Sequence, residues 1–427
     1  MNIKYLIVRL LLFVTGILFC LSLSAQESRN KKAPVLKMQE FHQRDGLPNV
    51  FHKIATIRQV RIGYIGGSIT EANEGWRDLT FSWFRLKFPQ TAFYQVNAAI
   101  GGTGSNLGVF RMEHDVFTGK PDLLFVEFAI NDAGDTRENI LKSMEGLIRK
   151  TWAAFPRTDI CFVYTTAEKE CIDLVNGKLH PASEAMEELA EYYGIPSIHV
   201  GIEIARLYSQ GRLVLSSAPS ENEHTIVFTE DHTHPLSESG HPLYANVVVK
   251  YLEKMSKKGY KAYHELPVPY VPDNWQDAKM IDVSQTERIG NWTILAEDSP
   301  VAQQFKQFMP SIYQAKPGAM MLLKFKGRVF GIYDCIGPGT GTIEITIDGN
   351  KEEISRFDPW CNYYRKHYFF VKELEDKVHE VEIRVLDKKI DKALILLKRN
   401  ITITDPAKYE GLDWYPANVM IVGELQK

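Results

Sequence analysis

The stretch VRIGYIGGSIT, residues 60–70, joins a run of apolar residues to a Gly-Gly-Ser turn. The apolar run predicts a buried strand. Gly66 and Gly67 permit a sharp turn and leave the oxygen of Ser68 uncrowded at the tip of that strand. A Gly-Gly-Ser sequence is also common in turns that have no other role. The stretch therefore predicts a strand followed by an exposed serine, whose function depends on the residues that surround it.

Outward from this stretch, short apolar runs alternate with helical patterns up to about residue 251. The strand candidates are residues 60–66, 92–97, 122–130 and 159–164. Residues at helical spacing separate them, and further helices are predicted over 181–193 and from about Ser237. Strands that alternate with helices are typical of a parallel sheet flanked by helices. The sequence therefore predicts an α/β fold for this part of the chain.

Three more features lie at the ends of predicted strands or before the last helix. NAAIGGTG, residues 97–104, is a strand followed by a glycine-rich bend, and Asn131 ends the most apolar strand. DHTHP, residues 231–235, lies in the loop before the last helix. Ligands of parallel sheets bind beyond the carboxyl ends of the strands. We therefore expect these features to meet Ser68 at one site.

The chemistry of these residues favours acyl transfer. The three-residue spacing lets Asp231 fold back onto His234, so that the other ring nitrogen can take a proton from a serine. Asn131 is a neutral donor suited to a negatively charged oxygen, although an asparagine there could instead cap a helix. His232 and His234 could alternatively bind a metal, but a zinc site needs three or four ligands and the sequence offers no further cluster.

The chain contains, in order, the four blocks that define the SGNH or GDSL-like hydrolases: Gly67-Ser68, Gly102, Asn131 and Asp231-x-x-His234. Over residues 58–255 the sequence resembles this family. The resemblance implies a three-layer α/β/α fold with a flavodoxin-like parallel sheet, and ester hydrolysis without a cofactor or a metal. It implies that Ser68 is the nucleophile, that His234 is the general base and then acid, and that Asp231 orients His234.

The resemblance also implies an oxyanion hole made by the N–H groups of Ser68 and Gly102 and the side chain of Asn131. Gly101 is an alternative to Gly102, and the order of residues within the block favours the second glycine. Two positions depart from the GDSL signature, which has aspartate where this chain has Gly67 and leucine at position 69. The sequence GGSIT is similar to a variant found among secreted carbohydrate esterases.

Two other histidines and one buried acid are alternative candidates for a role at the site. His232 or His241 could be the base, but only His234 follows an aspartate by three residues and precedes a proline, as in the family. Glu127, in the middle of an apolar strand, is a buried carboxylate that needs a partner. We expect a structural role for it, paired with Arg77 or Arg111.

The residue pattern changes after residue 260, from alternating strands and helices to a proline-rich stretch and then to β segments. Pro267, Pro269 and Pro272 predict a stiff linker over residues 261–279 that isolates the C-terminal part of the chain. Alternating segments between residues 280 and 427 predict an all-β sandwich or jelly-roll domain. This domain resembles modules attached to some carbohydrate esterases, and we expect it to supply no catalytic residue. The aromatics Trp360, Tyr363 and Tyr364 could stack on sugars or belong to its core.

The N-terminal residues and the net charge indicate where the protein is located and which partners are disfavoured. Residues 1–25 have the layout of a cleaved secretory signal and residues 26–57 form an extension before the α/β domain, placed at 58–260. We expect a secreted or periplasmic protein that is not inserted in a membrane after cleavage. The formal net charge is −3, which disfavours binding to nucleic acid.

Four cysteines follow the predicted signal: Cys161, Cys171, Cys335 and Cys361. Their pairing is left open, although Cys161 is expected to be a small buried residue of a core strand.

Together the patterns predict a secreted serine esterase that removes acyl groups, chiefly acetyl, from a poly- or oligosaccharide. The alternatives are a lipase, thioesterase or aryl esterase with the same triad, or a noncatalytic glycan-binding protein. The sequence leaves the oligomeric state open.

Overall fold

The computed structural model of the chain describes residues 38–216 and 226–426. The predicted signal peptide, residues 1–25, lies outside the described residues. An α/β domain is followed by an all-β antiparallel domain, as the sequence predicts. Within the described ranges, none of the helices has the length and apolar character needed to cross a membrane.

A six-stranded sheet organises the first domain. Its strands are β1 (Phe41–His42), β2 (Gln59–Gly66), β3 (Ala92–Asn97), β4 (Leu123–Glu127), β5 (Asp159–Tyr164) and β6 (Ser197–His199). They lie in the order β1-β6-β5-β4-β2-β3, and only the edge strand β1 is antiparallel to its neighbour. The order of β2 to β6 is that of a flavodoxin-like sheet, so this prediction is confirmed.

Helices cover both faces of this sheet. They are α1 (Pro48–Thr56), α2 (Ser68–Glu71), α3 (Trp76–Lys87), α4 (Ser105–Gly108), α5 (Arg137–Ala154), α6 (Glu168–Val175), α7 (Pro181–Tyr193), α8 (Val200–Ser209) and α9 (Gly240–Met255). A pair of short parallel strands, β7 (Leu213–Ser216) and β8 (Ile226–Thr229), precedes α9. Every residue of β4 and β5 is buried, because both strands lie inside the sheet with helices on each side.

Two boundaries differ from the predicted ones for reasons connected with the site. The strand predicted over 122–130 ends at Glu127, and the following residues leave the sheet in the turn that carries Asn131. The last helix begins at Gly240, three residues later than Ser237, because the preceding loop is bonded to β8 through Leu236 N–H and Phe228 O.

The second domain is built from antiparallel strands. They are β9 (Ala278–Asp282), β10 (Glu287–Ile289), β11 (Trp292–Ile294), β12 (Tyr313–Ala315), β13 (Met320–Ile336), β14 (Thr342–Ile347), β15 (Asn350–Ser355), β16 (Arg365–Phe370), β17 (Lys377–Leu386) and β18 (Tyr415–Gln426), with short helices α10 (Pro300–Phe305) and α11 (Lys392–Leu397). The long strand β13 lies inside the sheet, between β17 and β18, and it also pairs with β10 and β16.

The segment between the domains is bound to the first domain along its length, in contrast to the isolating linker that the prolines suggested. The N–H groups of Tyr270 and Val271 donate to the carboxylate of Glu145 on α5, at 2.6 and 2.7 Å. Trp275 N–H donates to Lys142 O. The prolines provide an extended shape, but the hydrogen bonds to α5 decide where the segment lies.

The two domains also share one apolar core. Phe110 of the first domain packs against Trp275 of the connecting segment and against Phe370 of β16, with ring centroids 5.9 and 5.5 Å apart. The buried Lys142 on α5 forms ion pairs with Asp273 and with Glu373 of the second domain. The second domain therefore has a fixed position against α5 and Phe110 of the first domain.

Candidate active site

Ser68 lies where the sequence predicts it, directly after β2. Gly67 precedes it in an extended conformation, and Ser68 is the first residue of α2. The side-chain oxygen of Ser68 lies 2.7 Å from Nε2 of His234. A helix that begins at the serine directs its first backbone N–H groups toward the same space as the side chain. Ser68 is thus placed to attack a group held at the end of the sheet.

His234 and Asp231 form the rest of a hydrogen-bonded chain. Nδ1 of His234 lies 2.6 Å from Oδ2 of Asp231, while Oδ1 of Asp231 accepts the backbone N–H groups of Thr233 and His234. Although partial burial raises the pKa of Asp231, these hydrogen bonds outweigh it and hold that pKa below its ordinary value. An ionised Asp231 keeps the proton on Nδ1, so Nε2 can accept the proton of Ser68.

The loop that carries these residues is fixed on both sides. Thr229 at the end of β8 forms an isolated bridge with Pro235, and its hydroxyl donates to Asp231. His232 has a left-handed backbone, with a φ of 67°, and Nδ1 of its ring lies 2.8 Å from Oε2 of Glu168. A short, tied loop keeps Asp231 and His234 in one geometry.

The two alternative bases do not contact Ser68. His232 is bound to Glu168. His241 is buried on α9, where its Nδ1 accepts the backbone N–H of Trp76. Burial lowers the pKa of His241 to about 4, so it is neutral at pH 7. Of the three histidines considered from the sequence, only His234 has the geometry of a base for Ser68.

The predicted oxyanion residues flank Ser68. A Cβ added to Gly67 would lie 1.8 Å from Oδ1 of Asn131, so the amide of Asn131 lies directly against the backbone before the serine. A Cβ added to Gly101 would lie 3.4 Å from Cβ of Ser68. The glycine loop and Asn131 therefore both lie close to Ser68.

The hydrogen bonds distinguish the two glycines of the loop. Gly101 N–H donates to Oε2 of Glu71 at 2.8 Å, so this N–H is not free to bind an oxyanion. Gly102 has a φ of 72° and its N–H has no acceptor among the described residues. Gly102 is thus the better candidate for an oxyanion donor, in agreement with the interpretation of the sequence. The role of Glu71 could not be recognised in the sequence, because nothing there relates it to residue 101.

The contacts of Glu127 suit a structural role, but the prediction that it pairs with Arg77 or Arg111 is wrong. Its two oxygens accept the hydroxyl groups of Thr70 and Thr165. Burial raises the pKa of Glu127, because the hydrogen bonds from Thr165 and Thr70 only partly offset its loss of water. Arg77 instead donates to the backbone O of Thr70, and Arg111 to that of Ala98. Glu127 therefore joins the ends of β4 and β5 to α2, which begins at Ser68.

A cleft of about 800 Å³ adjoins the glycine loop. Residues 101–103 line one side, and the second domain lines the other with Trp360, Tyr363, Tyr364 and Lys366. Trp360 and Tyr363 are 48% and 49% exposed, so they are not core residues of the β domain. The second domain thus contributes an aromatic and basic wall beside the candidate site, which the position of these residues far along the sequence does not reveal.

The residues of this site fit a family that a sequence comparison identifies. Residues 64–236 match the family model described as GDSL-like Lipase/Acylhydrolase. This segment is a GDSL-like acylhydrolase domain. The acylhydrolase domain makes the chain an ester-hydrolysing enzyme. Its family model spans Ser68, the glycine loop, Asn131 and both loop residues Asp231 and His234.

Comparison with solved structures finds the same two-domain fold. The chain is similar to a crystal structure of a two-domain esterase (CEX) active on acetylated mannans, co-crystallised with mannopentaose, at 22% identity and a TM-score of 0.65. The match covers 89% of this chain and 96% of that one. A second structure of CEX matches over the same shares at 21% identity and a TM-score of 0.66. No curated protein matches the chain. At this identity, the likeness establishes the fold of the acylhydrolase domain and its β domain.

The described residues were also considered as ligands for a metal ion. In residues 38–216 and 226–426, no group of three or more histidine, cysteine or acidic residues could hold a metal ion. His232 and His234 pair with different carboxylates and so do not form a ligand pair.

The four cysteines of the described part are buried and have free thiols. Cys161 lies in β5 as a small core residue, and burial raises its pKa.

Proposed function

We propose that the chain removes acyl groups, chiefly acetyl, from a poly- or oligosaccharide through a Ser-His-Asp acyl-enzyme mechanism, and that it is secreted. The observation that supports this most is the hydrogen-bonded chain of Ser68, His234 and Asp231 beside a cleft with exposed aromatic side chains. Secretion rests on the signal pattern of residues 1–25 alone.

In the proposed mechanism, Nε2 of His234 takes the proton of Ser68 as its oxygen attacks the ester carbonyl. The tetrahedral oxyanion accepts hydrogen bonds from the N–H groups of Ser68 and Gly102 and from the amide of Asn131. When the intermediate collapses, His234 gives its proton to the departing sugar hydroxyl, which leaves an acetyl group on Ser68. Water then attacks this acyl-enzyme with His234 again as the base, and acetate and the free serine result.

The cleft favours a carbohydrate over a lipid. Sugar rings present C–H faces that pack on aromatic side chains, and the half-exposed rings of Trp360 and Tyr363 offer such surfaces. A long acyl chain would need a mainly apolar channel, whereas charged residues such as Lys366 and Asp358 interrupt this one. A glycan ester is therefore the substrate that suits both the triad and its surroundings.

The test is acetate release from a panel of acetylated mannan, xylan and pectin, compared with hydrolysis of short- and long-chain 4-nitrophenyl esters. We expect release from at least one polysaccharide and a strong preference for acetyl over octanoyl esters. Ser68→Ala serves as the blank for contaminating activity. Hydrolysis of long-chain esters without acetate release from any polysaccharide would favour a lipase, and no turnover of any ester would contradict the proposal.

A further inference from the structure

We infer that the wall of the cleft formed by the second domain binds the carboxylate of an acidic sugar, so that the substrate is an acetylated glycan containing uronate residues. The inference rests on the proposed function, because it assigns the substrate class of the same site. It depends on hydrogen-bond donors and positive charge that gather where the second domain meets the glycine loop.

Several buried donors near the cleft have no acceptor within the part of the chain that the structure describes. They are Nε and Nη2 of Arg111, Nε of Arg365 and the hydroxyl of Tyr333. The side chain of Arg111 is only 2% exposed, and Tyr333 lies in the wall of the cleft. Because a buried donor without an acceptor costs free energy, these donors are suited to a hydrogen-bond partner supplied by a bound ligand.

Lys366 adds a positive charge to the same wall. It lies on β16, and its Nζ is 3.6 Å from the centroid of the Phe308 ring. It forms no hydrogen bond or ion pair with the residues described. Burial lowers the pKa of Lys366, an effect that nearby Glu71 opposes and nearby Arg111 reinforces. Lys366 is thus a partly desolvated ammonium group in the wall of the cleft, in contact with the Phe308 ring and without an ion-pair partner among the described residues.

The carboxylates of this region are already engaged. Glu71 accepts the N–H of Gly101, and Asp115 pairs with Arg111 and with His114. Asp358 pairs with Arg365 and accepts the N–H of Trp360. Within the described residues, these carboxylates do not bind the remaining donors, which are available to an acceptor oxygen of a ligand.

A uronate has the chemistry that this wall lacks. Its carboxylate carries one negative charge and two acceptor oxygens, and it projects from the edge of the sugar ring. The ring faces remain free to pack on Trp360 or Tyr363 while the carboxylate reaches Lys366 and Arg365. A neutral sugar could occupy the aromatic surface but would offer Lys366 no negative charge.

The experiment compares acetylated polygalacturonate with the same polymer after methyl esterification of its carboxylates, so that only the charge differs. We expect kcat/KM for acetate release to be about 10-fold higher on the charged polymer, which is the usual effect of one charged hydrogen bond. Lys366→Gln should reduce this ratio to near one, and Lys366→Arg should restore it. Lys326→Gln, which removes an exposed lysine of β13, is the matched control and should leave the ratio unchanged.

Equal rates on the two polymers, or a ratio that Lys366→Gln does not alter, would overturn the inference. If the enzyme releases acetate only from neutral glycans, the proposed function stands and the acidic-sugar site is rejected. If no glycan yields acetate, the proposed function itself fails.

Discussion

Gly67 lies where the GDSL signature has an aspartate, and the contact with Asn131 explains the difference. Its backbone has ordinary extended angles, so a side chain is excluded by space and not by conformation. Any Cβ there would collide with the amide of Asn131. In this chain the close approach of Gly67 fixes the candidate oxyanion donor.

The first prediction concerns this contact. We expect Gly67→Ala to displace Asn131 and to lower kcat on 4-nitrophenyl acetate by about 10²-fold, the order of effect of losing one oxyanion donor. Gly134→Ala is the control, because a Cβ at Gly134, in the same turn region, meets no atom within 4 Å. An unchanged kcat for Gly67→Ala would remove Asn131 from the oxyanion hole.

Asp132, next to Asn131, gives a prediction on pH. Burial raises its pKa to about 7, although Ser105 N–H donates to it at 2.8 Å. The folded chain therefore holds a proton that the unfolded chain releases near pH 4, so stability falls as pH rises from about 4 to about 7.

Asp132→Asn keeps the shape and removes this titration. We expect the Tm of the wild type, relative to that of Asp132→Asn, to fall between pH 5 and pH 8, with the variant the more stable at pH 8. Thermal unfolding at both values measures it. A constant difference in Tm across this range would show that Asp132 does not titrate there.

At the scale of elements, the loop from β8 to α9 must hold two catalytic side chains without a helix or strand around them. Glu168 at the start of α6 ties this loop twice. Its N–H donates to His232 O, and its carboxylate binds the ring of His232 and the hydroxyl of Ser216. These bonds offset the strain of the left-handed backbone at His232.

We therefore expect Glu168→Ala to lower kcat by about 10-fold with little change in KM on 4-nitrophenyl acetate, since misplacement of a catalytic group affects the chemical step. Lys169→Ala, at the exposed neighbouring position, is the control and should behave as wild type. A Glu168→Ala enzyme with unaltered kcat would show that the loop needs no such tie.

The elements also show how far the sequence predicts the fold and the site. The strands β3 and β5 and the helix α7 have the predicted bounds: aromatic and β-branched residues mark β3, five consecutive apolar residues mark β5, and a proline marks the first turn of α7. The strand β6 is not predicted, because three residues carry no periodicity. The hydroxyl partners of Glu127 are not predicted either, since Thr70 and Thr165 meet it only through the fold. The same applies to Lys366, which reaches the site from a different domain.

At the scale of the whole molecule, the shared core makes the two domains one folding unit. A chain that ended near Asp273 would expose the apolar surface of Phe110 and leave Lys142 buried without Glu373. Exposed apolar patches of this kind cause aggregation.

We therefore predict that truncation after Asp273 yields aggregated or much less stable protein, in contrast to the separable hydrolase that the proline-rich segment suggested. Size-exclusion chromatography and thermal unfolding measure this. A soluble monomer with the Tm of the full chain would show that the interface contributes little to stability.

The central claim is that Ser68 attacks the ester with His234 as its base, and one variant tests it most directly. The measurement is kcat for 4-nitrophenyl acetate with Ser68→Ala, after circular dichroism has verified an unchanged fold. The account predicts a loss of roughly 10⁴-fold or more, with residual turnover from binding and the oxyanion hole alone. A folded Ser68→Ala protein with turnover near that of the wild type would contradict it.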